Sequence, residues 1–324
     1  MAYRMAFQKT GGPEVIARQD FTPAPPGPGE LAVRHTAIGV NFIDTYHRSG
    51  LYPVTLPAAP GIEAAGVVEA VGEGVGGFTP GDRIGYFTGK PGAYATHRNI
   101  PAAQALKLPD GLADDDAAAV MLKAATTEYL VERCARLKAG DTALVHAAAG
   151  GVGLLLVQWL KAIGVRVAAT AGTPDKQALA KSAGADVVCG YAEAAEAARE
   201  MTSGTGVDAV FDGVGKATWD VSLSALRVRG LLASFGNASG PVTGVDLGIL
   251  AARGSLFVTR PTVAHYYGTP DEFRAGSERF LGMLASGRLK ADIHQRRALA
   301  DAAQVHRDLE ARRTTGATIM LPEA

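Results

Sequence analysis

The middle of the chain alternates between short apolar runs and segments with a helical pattern. The runs begin near residues 142, 166, 186, 207, 231 and 255, a step of roughly 20–25 residues. Buried strands that alternate with helices at this step are typical of βαβ units in a parallel sheet. Six such strands predict a doubly wound α/β fold of the Rossmann type. The runs are TALVHA, RVAATA, DVVC, VDAVFD, GLLASF and SLFVT.

The region before this alternation has a different pattern. From residue 1 to about residue 123, glycine and proline are frequent, and turns separate short apolar runs such as Leu31–Val33, Ala64–Val71 and Arg83–Phe87. Short apolar runs bounded by turn residues are typical of strands. Residues 1–123 therefore predict a β-rich domain with many loops.

The region after the alternation mixes the two patterns. Helices are predicted over Glu272–Ser286 and Leu299–Arg312, and a last strand over Thr318–Leu321. We expect this tail, residues 259–324, to pack back onto the first domain. The α/β domain is then predicted over residues 124–258.

A glycine-rich turn follows the first strand of the alternating region and opens its first helix. Its spacing, Ala147-x-x-Gly150-x-x-Gly153, is a variant of the G-x-G-x-x-G pattern. Small residues let the backbone approach a pyrophosphate, and the helix N-terminus offers N–H groups and a positive dipole end. A tight strand–helix turn without a ligand is the alternative. The predicted cofactor residues here are Ala147, Gly150, Gly151, Val152 and Gly153.

The end of the second strand bears on which dinucleotide binds. Enzymes that use NAD commonly place an acid there to bond the ribose 2′-hydroxyl, but Gly172-Thr173 follows RVAATA. Thr173 and Pro174 predict an N-cap with proline at the first helical position, and Asp175 falls in the first turn. Lys176 can pair with a 2′-phosphate, although it can also be a solvated surface lysine. The sequence therefore predicts NADPH rather than NADH.

Other strand ends supply further cofactor candidates. The crevice at the carboxyl ends of parallel strands is where such cofactors lie. Tyr191 follows the third strand and is a candidate for contact with the adenine. Each position is also compatible with ordinary turn chemistry. The additional candidates lie in two segments, Asp212-Gly-Val-Gly215 after the fourth strand and Phe235-Gly236-Asn237-Ala238-Ser239 after the fifth, and include Val214, Phe235, Asn237 and Ser239.

Composition excludes several classes of protein. Lys+Arg and Asp+Glu both number 32, so the net charge is zero, and a large basic surface for nucleic acid is not expected. Cys134 and Cys189 stand apart from metal-spaced histidines, which argues against a structural zinc or a disulfide framework. The N-terminus lacks a signal-peptide pattern, and the uncharged stretch Thr142–Leu160 is broken by glycines. We therefore expect a cytoplasmic protein that is not inserted in a membrane.

Several motifs together resemble one enzyme family over essentially the whole chain. They are similar to the NADPH:quinone oxidoreductases, the zinc-free, ζ-crystallin-like branch of the medium-chain dehydrogenase/reductase superfamily, and most of all to the bacterial members. The resemblance implies a Rossmann domain inserted in a β-rich GroES-like catalytic domain, NADPH as cofactor, a quinone substrate and usually a homodimer. The motifs are HAAAGGVG (146–153), GVNFIDTYHRSGLYP (39–53), PGIEAAGVVEAVGEGV (60–75), FGNASGPVTGVDLGIL (235–250) and VTRP (258–261).

The resemblance also implies roles for individual residues. Substrate-pocket positions of the family fall on Asn41, Asp44, Tyr46, Tyr52 and Arg260. The family's cofactor contacts fall on Asn41, Val152, Gly153, Gly172, Lys176, Tyr191, Phe235, Asn237, Ser239 and Arg312.

Zinc-dependent relatives of this family carry a cysteine, a G-H-E motif and a second cysteine as catalytic ligands. Here the corresponding motif is Gly61-Ile62-Glu63, and Asn41 stands near the place of the first cysteine. Catalytic zinc needs about three protein ligands, and no such set is arranged along this sequence. We therefore predict no metal site.

Without a metal, polar side chains must stabilise the negative charge that develops on a quinone oxygen. Tyr46 and Tyr52 carry phenolic donors and Arg260 carries a permanent cation, so we assign them to substrate binding and oxyanion stabilisation as a hypothesis. The tyrosines can instead be packing residues, Arg260 can bridge the domains, and Asp44 can cap or orient a neighbour. No single acid–base residue is expected to be essential, and His146 is interpreted as a core histidine.

Two other functions stay open from the sequence. The same hydride could reduce an activated C=C bond, which would make the protein an NADPH-dependent enone or enoyl-thioester reductase. Relatives that resemble ζ-crystallin serve as lens proteins or bind AU-rich RNA, but zero net charge and the lack of an aromatic–basic platform argue against RNA binding as the main role.

Overall fold

Fifteen strands are present in residues 1–322, the part of the chain that this computed structural model describes. They are β1 (Tyr3–Ala6), β2 (Ala17–Asp20), β3 (Glu30–Gly39), β4 (Glu63–Val71), β5 (Arg83–Phe87), β6 (His97–Pro101), β7 (Ala105–Lys107), β8 (Thr142–Val145), β9 (Arg166–Thr170), β10 (Val187–Cys189), β11 (Val207–Asp212), β12 (Leu226–Ser234), β13 (Phe257–Thr259), β14 (Ile293–Ala298) and β15 (Ala317–Leu321).

Ten α-helices accompany these strands within the same described range, with short 3-10 turns and one π-helical segment, Tyr129–Ala135. No helix in residues 1–322 is both long and apolar enough to cross a membrane. The helices are α1 (Phe42–Ser49), α2 (Asp114–Glu128), α3 (Gly151–Ala162), α4 (Pro174–Ser182), α5 (Ala194–Met201), α6 (Trp219–Ala225), α7 (Gly248–Ala252), α8 (Val263–Tyr266), α9 (Pro270–Ala285) and α10 (Ala302–Glu310).

The chain separates into two units, each with its own core. The first unit contains residues 1–122 together with those from residue 291 onward, and the second contains residues 123–290. Residues 259–290, which the sequence assigned to the catalytic domain, therefore group with the α/β unit. The functional division of the chain into domains stays a prediction.

Two contacts explain why residues 259–290 group with the second unit. Arg279, on α9, donates to Glu132 Oε2 across 2.8 Å. Tyr267 donates its hydroxyl hydrogen to the buried carboxylate of Glu128 across 2.9 Å. A hydrogen bond to a buried charged group contributes about 1.5–3 kcal/mol to stability, so Tyr267, just before α9, is tied to the segment that follows residue 123.

The second unit is built on a six-stranded parallel sheet. Its strand order is β10-β9-β8-β11-β12-β13, which is 3-2-1-4-5-6 when the strands are numbered within the unit. This order confirms the predicted doubly wound fold. The order reverses between β8 and β11, where Val145 pairs with Phe211, so the crevice that binds dinucleotides in such folds opens at these two strand ends.

One strand of this sheet begins earlier than the sequence indicated. The sequence predicted a strand from about residue 231, whereas β12 runs from Leu226 to Ser234. Its register against β11 shifts between Leu226 and Leu231, because Arg229 has a left-handed backbone with a φ of 59°. Such a bulge breaks the apolar run without ending the strand.

The first unit is built on a mostly antiparallel sheet with the order β14-β15-β3-β4-β5-β7, and β6 also pairs with β3. A separate antiparallel pair is formed by β1 and β2. Its core is shared by two distant stretches of chain, because Leu299, Val305 and Met320 pack in the same cluster as Leu31 and Ile38. This β-rich architecture confirms the predicted fold class of the first domain.

Candidate active site

The glycine-rich turn joins β8 to α3 as the sequence predicted. Ala147 has a left-handed backbone with a φ of 52°, and its carbonyl accepts a hydrogen bond from Gly150 N across 2.9 Å. A Cβ atom on Gly153 would lie 2.3 Å from Ala147 O, far inside van der Waals contact. Only glycine therefore allows the helix to pack this closely against the turn, the role that the pattern assigns to its last glycine.

The N-terminus of α3 has the features that a phosphate group needs. Its N-cap is Gly150, which supplies no side-chain acceptor, so the first backbone N–H groups of the helix are not capped from within the turn. A cap side chain would compete with an anion for these donors. The turn therefore fits the pyrophosphate of a dinucleotide by its own geometry.

The end of β9 has the local structure that the sequence predicted. Thr173 caps α4 by accepting from Lys176 N across 3.3 Å, and Pro174 occupies the first turn, which confirms the predicted N-cap. Asp175 lies on the helix and not at the strand end. A Cβ atom on Gly172 would meet Tyr191 at 3.7 Å, so these two predicted cofactor residues are neighbours.

His146, in the last position before the turn, is buried. Its Nδ1 lies 2.9 Å from Thr170 Oγ1, and its ring stacks on Tyr191 with 5.9 Å between centroids. Burial lowers the pKa of His146, partly opposed by the charge of Asp212. Nε2 has no hydrogen-bond partner among the described residues. His146 is therefore a core residue with one ring nitrogen hydrogen-bonded, and the Tyr191 ring stacks on its buried imidazole.

The turn after β11 is organised by a buried carboxylate, Asp212, that was assigned no role of its own from the sequence. Asp212 accepts from the backbone N–H groups of Val214 and Gly215 at 2.8 and 3.0 Å. It also accepts from the hydroxyls of Thr218 and Ser222 at 2.7 and 2.8 Å. The sequence does contain a signal for this role. It is an acid at the end of a strand, directly before Gly-x-Gly, with residues that carry hydroxyl groups six and ten positions later. Asp212 thereby fixes the backbone of Val214.

The turns after β11 and β12 lie against each other and bring the remaining predicted cofactor residues together. A Cβ atom on Gly236 would lie 2.2 Å from Gly213 O, so the two backbones are in direct contact. Ser239 donates to Val214 O through both its backbone N–H and its hydroxyl, each across 2.8 Å. Phe235 lies beside Gly213, where an added Cβ would be 3.0 Å from the ring.

Arg260 is held by the end of β12. Its Nη1 donates to Ser234 O across 2.9 Å and to Gly236 O across 2.8 Å. These bonds orient the guanidinium at the strand end next to the turn that carries Asn237. The structure thus places Arg260 with the predicted cofactor residues of the second unit.

In the first unit, Asn41 is the N-cap of α1 and forms a pair with Glu63. Its Nδ2 donates to Glu63 Oε1 across 2.7 Å, and the other carboxylate oxygen accepts from Leu122 N across 2.6 Å. Asn41 and Glu63 are both buried. By the resemblance of the motifs, Asn41 stands near the place of the first cysteine of zinc-dependent relatives and Glu63 corresponds to the acid of G-H-E; in this protein the two form an amide–carboxylate pair.

Asp44 begins a chain of buried hydrogen bonds. Its Oδ2 accepts from Asn41 N across 2.9 Å and from the Tyr94 hydroxyl across 3.0 Å. The same hydroxyl lies 3.1 Å from His306 Nε2, and His306 Nδ1 lies 3.3 Å from Arg48 Nη1. Because arginine can only donate, Nδ1 accepts, and Nε2–H donates to Tyr94.

The charges along this chain follow from burial. Burial lowers the pKa of His306 to about 3, with a further contribution from Arg48, so the imidazole is neutral. Burial and the neighbouring Asp44 raise the pKa of Tyr94 well above its usual value. Arg48 itself pairs with Glu310 across 2.5 Å. The predicted alternative for Asp44, that it caps and orients neighbours, matches these contacts.

Tyr46 and Tyr52 form one aromatic cluster. Their rings meet edge to face at 5.2 Å, and Tyr52 N donates to Tyr46 O across 3.1 Å. His47 packs edge-on against Tyr52 at 6.2 Å, and Phe42 tilts against Tyr46 at 5.5 Å. Tyr46 is buried and Tyr52 half-buried, so packing accounts for much of the cluster, as the alternative interpretation of the two tyrosines expected.

The predicted residues thus divide between the two units. Arg312 follows α10 in the first unit, where it is exposed and has a φ of 57°. The residues from Ala147 to Arg260 belong to the second unit, and the first unit contains Asn41, Asp44, Tyr46, Tyr52 and Arg312.

Comparison with known proteins identifies the family. Residues 27–110 match the alcohol dehydrogenase GroES-like domain, and residues 151–281 match the family described as zinc-binding dehydrogenase. The quinone oxidoreductase of Pseudomonas aeruginosa is 50% identical over 99% of this chain and 100% of its own length. The chain belongs to the quinone oxidoreductase family. This confirms the resemblance drawn from the motifs.

Solved structures of family members agree with this assignment. The Escherichia coli quinone oxidoreductase complexed with NADPH superposes with a TM-score of 0.96 at 46% identity, and the match covers 99% of this chain and 100% of that one. A 2-haloacrylate reductase from a Burkholderia species is 40% identical over the full length of both chains.

The family description mentions zinc, which makes the metal-ligand positions of this chain relevant. Within residues 1–322, no group of three or more His, Cys, Asp or Glu side chains is arranged to hold a metal ion. Ile62, at the position of the histidine in G-H-E, is buried in the protein.

Proposed function

We propose that this protein catalyses the NADPH-dependent reduction of quinones without a metal ion. The observation that carries the proposal is the uncapped N-terminus of α3 behind β8, in a sheet of order 3-2-1-4-5-6, followed by a β9 that ends without an acid. The relatives named quinone oxidoreductase, and the E. coli member solved with NADPH, support it.

The second unit supplies most of the proposed cofactor contacts. The turn from Ala147 to Gly153 would hold the pyrophosphate, Lys176 the 2′-phosphate, and Gly172 with Tyr191 the adenosine. When bound, NADPH supplies the hydride. Val214, Phe235, Asn237 and Ser239, which the paired turns after β11 and β12 bring together, would line the nicotinamide end. Asn41 and Arg312 are assigned to the cofactor on the family resemblance alone.

For the substrate we propose Asn41, Asp44, Tyr46, Tyr52 and Arg260. A quinone that accepts a hydride and a proton becomes an aromatic hydroquinone, so it needs little activation beyond positioning and stabilisation of its developing oxyanion. The phenols of Tyr46 and Tyr52 and the guanidinium of Arg260 are the hydrogen-bond donors for that charge. Asp44 acts through the N-terminus of α1, which it fixes by its bond to Asn41 N.

We also propose a homodimer in which copies of β13 meet. This strand is at the edge of the six-stranded sheet, and Phe257 is 60% exposed on it. Val228 and Leu247 are 62% and 73% exposed. An exposed apolar edge strand favours pairing with a second copy across a two-fold axis. Light scattering on the purified protein should give about twice the chain mass of 33.4 kDa; a monomer at all concentrations contradicts the dimer.

The remaining predictions about partners and location rest on the sequence. The neutral net charge supports the expectation that nucleic acid is not a partner. The cytoplasmic location stays a prediction.

The function is tested by following NADPH oxidation with two classes of acceptor. We expect turnover with 1,4-benzoquinone and 1,2-naphthoquinone that survives exhaustive treatment with EDTA. Crotonyl-CoA should be a poor acceptor. Faster reduction of crotonyl-CoA than of either quinone would overturn the proposed substrate class, and loss of quinone turnover with EDTA, restored by zinc, would overturn the metal-free mechanism.

A further inference from the structure

The first unit contains a groove of about 780 Å³ that the proposed function does not use. Pockets that hold small molecules are typically about 300–1,000 Å³. Its cationic side chains come from three separate parts of the chain: Arg4 on β1, Lys90 in the loop after β5, and Arg98 on β6. None of the residues that line it carries a carboxylate.

The three cations have no acidic partner within the described residues. Arg4 Nε donates to the neutral amide of Gln19 across 3.3 Å. Arg98 Nη2 donates to the backbone carbonyls of Lys90 and Pro91 across 2.8 and 3.3 Å. In a protein with equal numbers of acidic and basic residues, a groove with three cations and no acid is a local site of positive potential.

A buried imidazole forms part of the wall of the groove. His47 lines it, and its Nδ1 has no hydrogen-bond partner among residues 1–322. Burial lowers the pKa of His47, so the ring is neutral and adds no charge to the groove.

The rest of the wall is mainly apolar, with Thr22, Thr55, His97 and Asn99 as its other polar side chains. It includes Phe21, Pro53, Val54, Pro57 and Pro91. Prolines offer no backbone N–H, so this part of the wall suits a hydrocarbon surface rather than a sugar or a second nucleotide. An anion with an apolar body complements both parts of the groove, the cations with its charge and the proline wall with its body.

We propose that this groove binds a small organic carboxylate, with the acid group at Lys90 and Arg4 and an aromatic or alkyl body of about ten carbons along the prolines. Arg98 shapes the loop through the carbonyls of Lys90 and Pro91. All lining residues belong to the first unit, and none is among the proposed substrate or cofactor residues.

The test is calorimetric titration of the full-length protein with 2-naphthoate, with and without saturating NADPH. We expect one site per chain, unaffected by NADPH, with the neutral 2-naphthamide binding at least about tenfold more weakly, since loss of one charge-assisted hydrogen bond corresponds to a factor of that order. Decanoate in place of 2-naphthoate separates an alkyl from an aromatic preference.

Variants locate the site. Lys90→Gln and Arg4→Gln should each weaken 2-naphthoate binding about tenfold, because each removes one charge without reshaping the loop. Lys138→Gln, at an exposed lysine of the second unit, is the matched control and should bind as the unmodified protein does. Val54→Trp should block the groove sterically while the melting temperature reports intact folding.

Three results would overturn the proposal. They are displacement of 2-naphthoate by NADPH, equal binding of 2-naphthamide, and equal Kd values in the Lys90, Arg4 and Lys138 variants. Because binding is measured without turnover, these results do not depend on whether the protein reduces quinones.

Discussion

The Tyr94 hydroxyl donates to Asp44 Oδ2 across 3.0 Å, joining residues fifty positions apart in the sequence. Asp44 holds the N-terminus of α1, the helix that carries Tyr46 and is capped by Asn41. Tyr94 is therefore a positioning residue for the proposed substrate pocket. Its own position is set by Gly61, where a Cβ atom would lie 2.3 Å from the Tyr94 ring.

Tyr94→Phe should lower the free energy of unfolding by about 1.5–3 kcal/mol, since it removes a hydrogen bond to a buried charged group. Urea denaturation measures the change. Tyr86→Phe is the matched control, because Tyr86 is equally buried and donates to the neutral His35 across 2.9 Å, a bond that contributes about 0.5–1.5 kcal/mol. The KM for quinone should rise in the Tyr94 variant alone. A positioning role is contradicted if both variants change stability and KM equally.

Gly153→Ala should weaken NADPH binding and lower the melting temperature. The new methyl group would lie 2.3 Å from Ala147 O and 2.7 Å from Ala148 Cα, so the turn must move away from the helix. Gly282→Ala, on the exposed side of α9 with open space around its Cβ, should instead stabilise the protein by about 0.5–1 kcal/mol. Fluorescence titration with NADPH and thermal melts distinguish the two. Unchanged NADPH affinity in the Gly153 variant contradicts the assigned role of the turn.

Lys176→Gln should raise the KM for NADPH about tenfold or more and leave the KM for NADH nearly unchanged. The reason is the loss of one charge-assisted bond to the 2′-phosphate, which NADH lacks. Steady-state kinetics with both cofactors gives the comparison, with Lys138→Gln as control. Equal KM values for NADPH and NADH in the unmodified protein would contradict the predicted cofactor preference.

Tyr46→Phe and Arg260→Lys test the oxyanion hypothesis. Removal of a true oxyanion donor raises the barrier by about 2.7–4 kcal/mol, which lowers kcat about 10²–10³-fold. Arg260→Lys keeps the charge but cannot make both bonds to Ser234 O and Gly236 O in the same geometry. Because the charge is kept, kcat should fall less in Arg260→Lys than in Arg260→Ala. If turnover stays within about twofold in Tyr46→Phe and Arg260→Ala, a change below about 0.4 kcal/mol, neither residue stabilises the oxyanion.

Stability should fall as the pH is lowered from about 6.5 towards 3. Burial lowers the pKa of both His306 and His35 to about 3, so in this window the unfolded chain binds protons that the folded protein does not. At pH 5 each histidine should reduce the free energy of unfolding by about 2 kcal/mol relative to neutral pH. The glutamine side chain in His306→Gln can still accept from Arg48 and donate to Tyr94. Between neutral pH and pH 5, the free energy of unfolding of this variant should therefore fall by about 2 kcal/mol less than that of the unmodified protein. Parallel pH curves for the two proteins would contradict this assignment.

Local sequence patterns were enough to predict most of the fold and the glycine-rich turn. The six strands, the turn from Ala147 to Gly153 and the N-cap at Thr173 depend on residues near one another in sequence, so spacing alone predicts them. The buried network of the first unit has no such signal, because Tyr94 and His306 meet across 212 positions. Asp212 was assigned no role for a different reason, since its four donors follow it within ten positions and resemble an ordinary turn.

The order of the two units along the chain has a consequence for synthesis on the ribosome. Residues 123–290 form the second unit without interruption, so its sheet can close as soon as they leave the exit tunnel. The first unit must wait, because β3 acquires its neighbour β15 only after the intervening residues have been translated. During that interval Leu31 and Ile38 lack Met320 and Leu299, which later cover them. A chaperone that recognises exposed apolar strands therefore has the longest time to act on the nascent amino-terminal segment, before β15 has been synthesised.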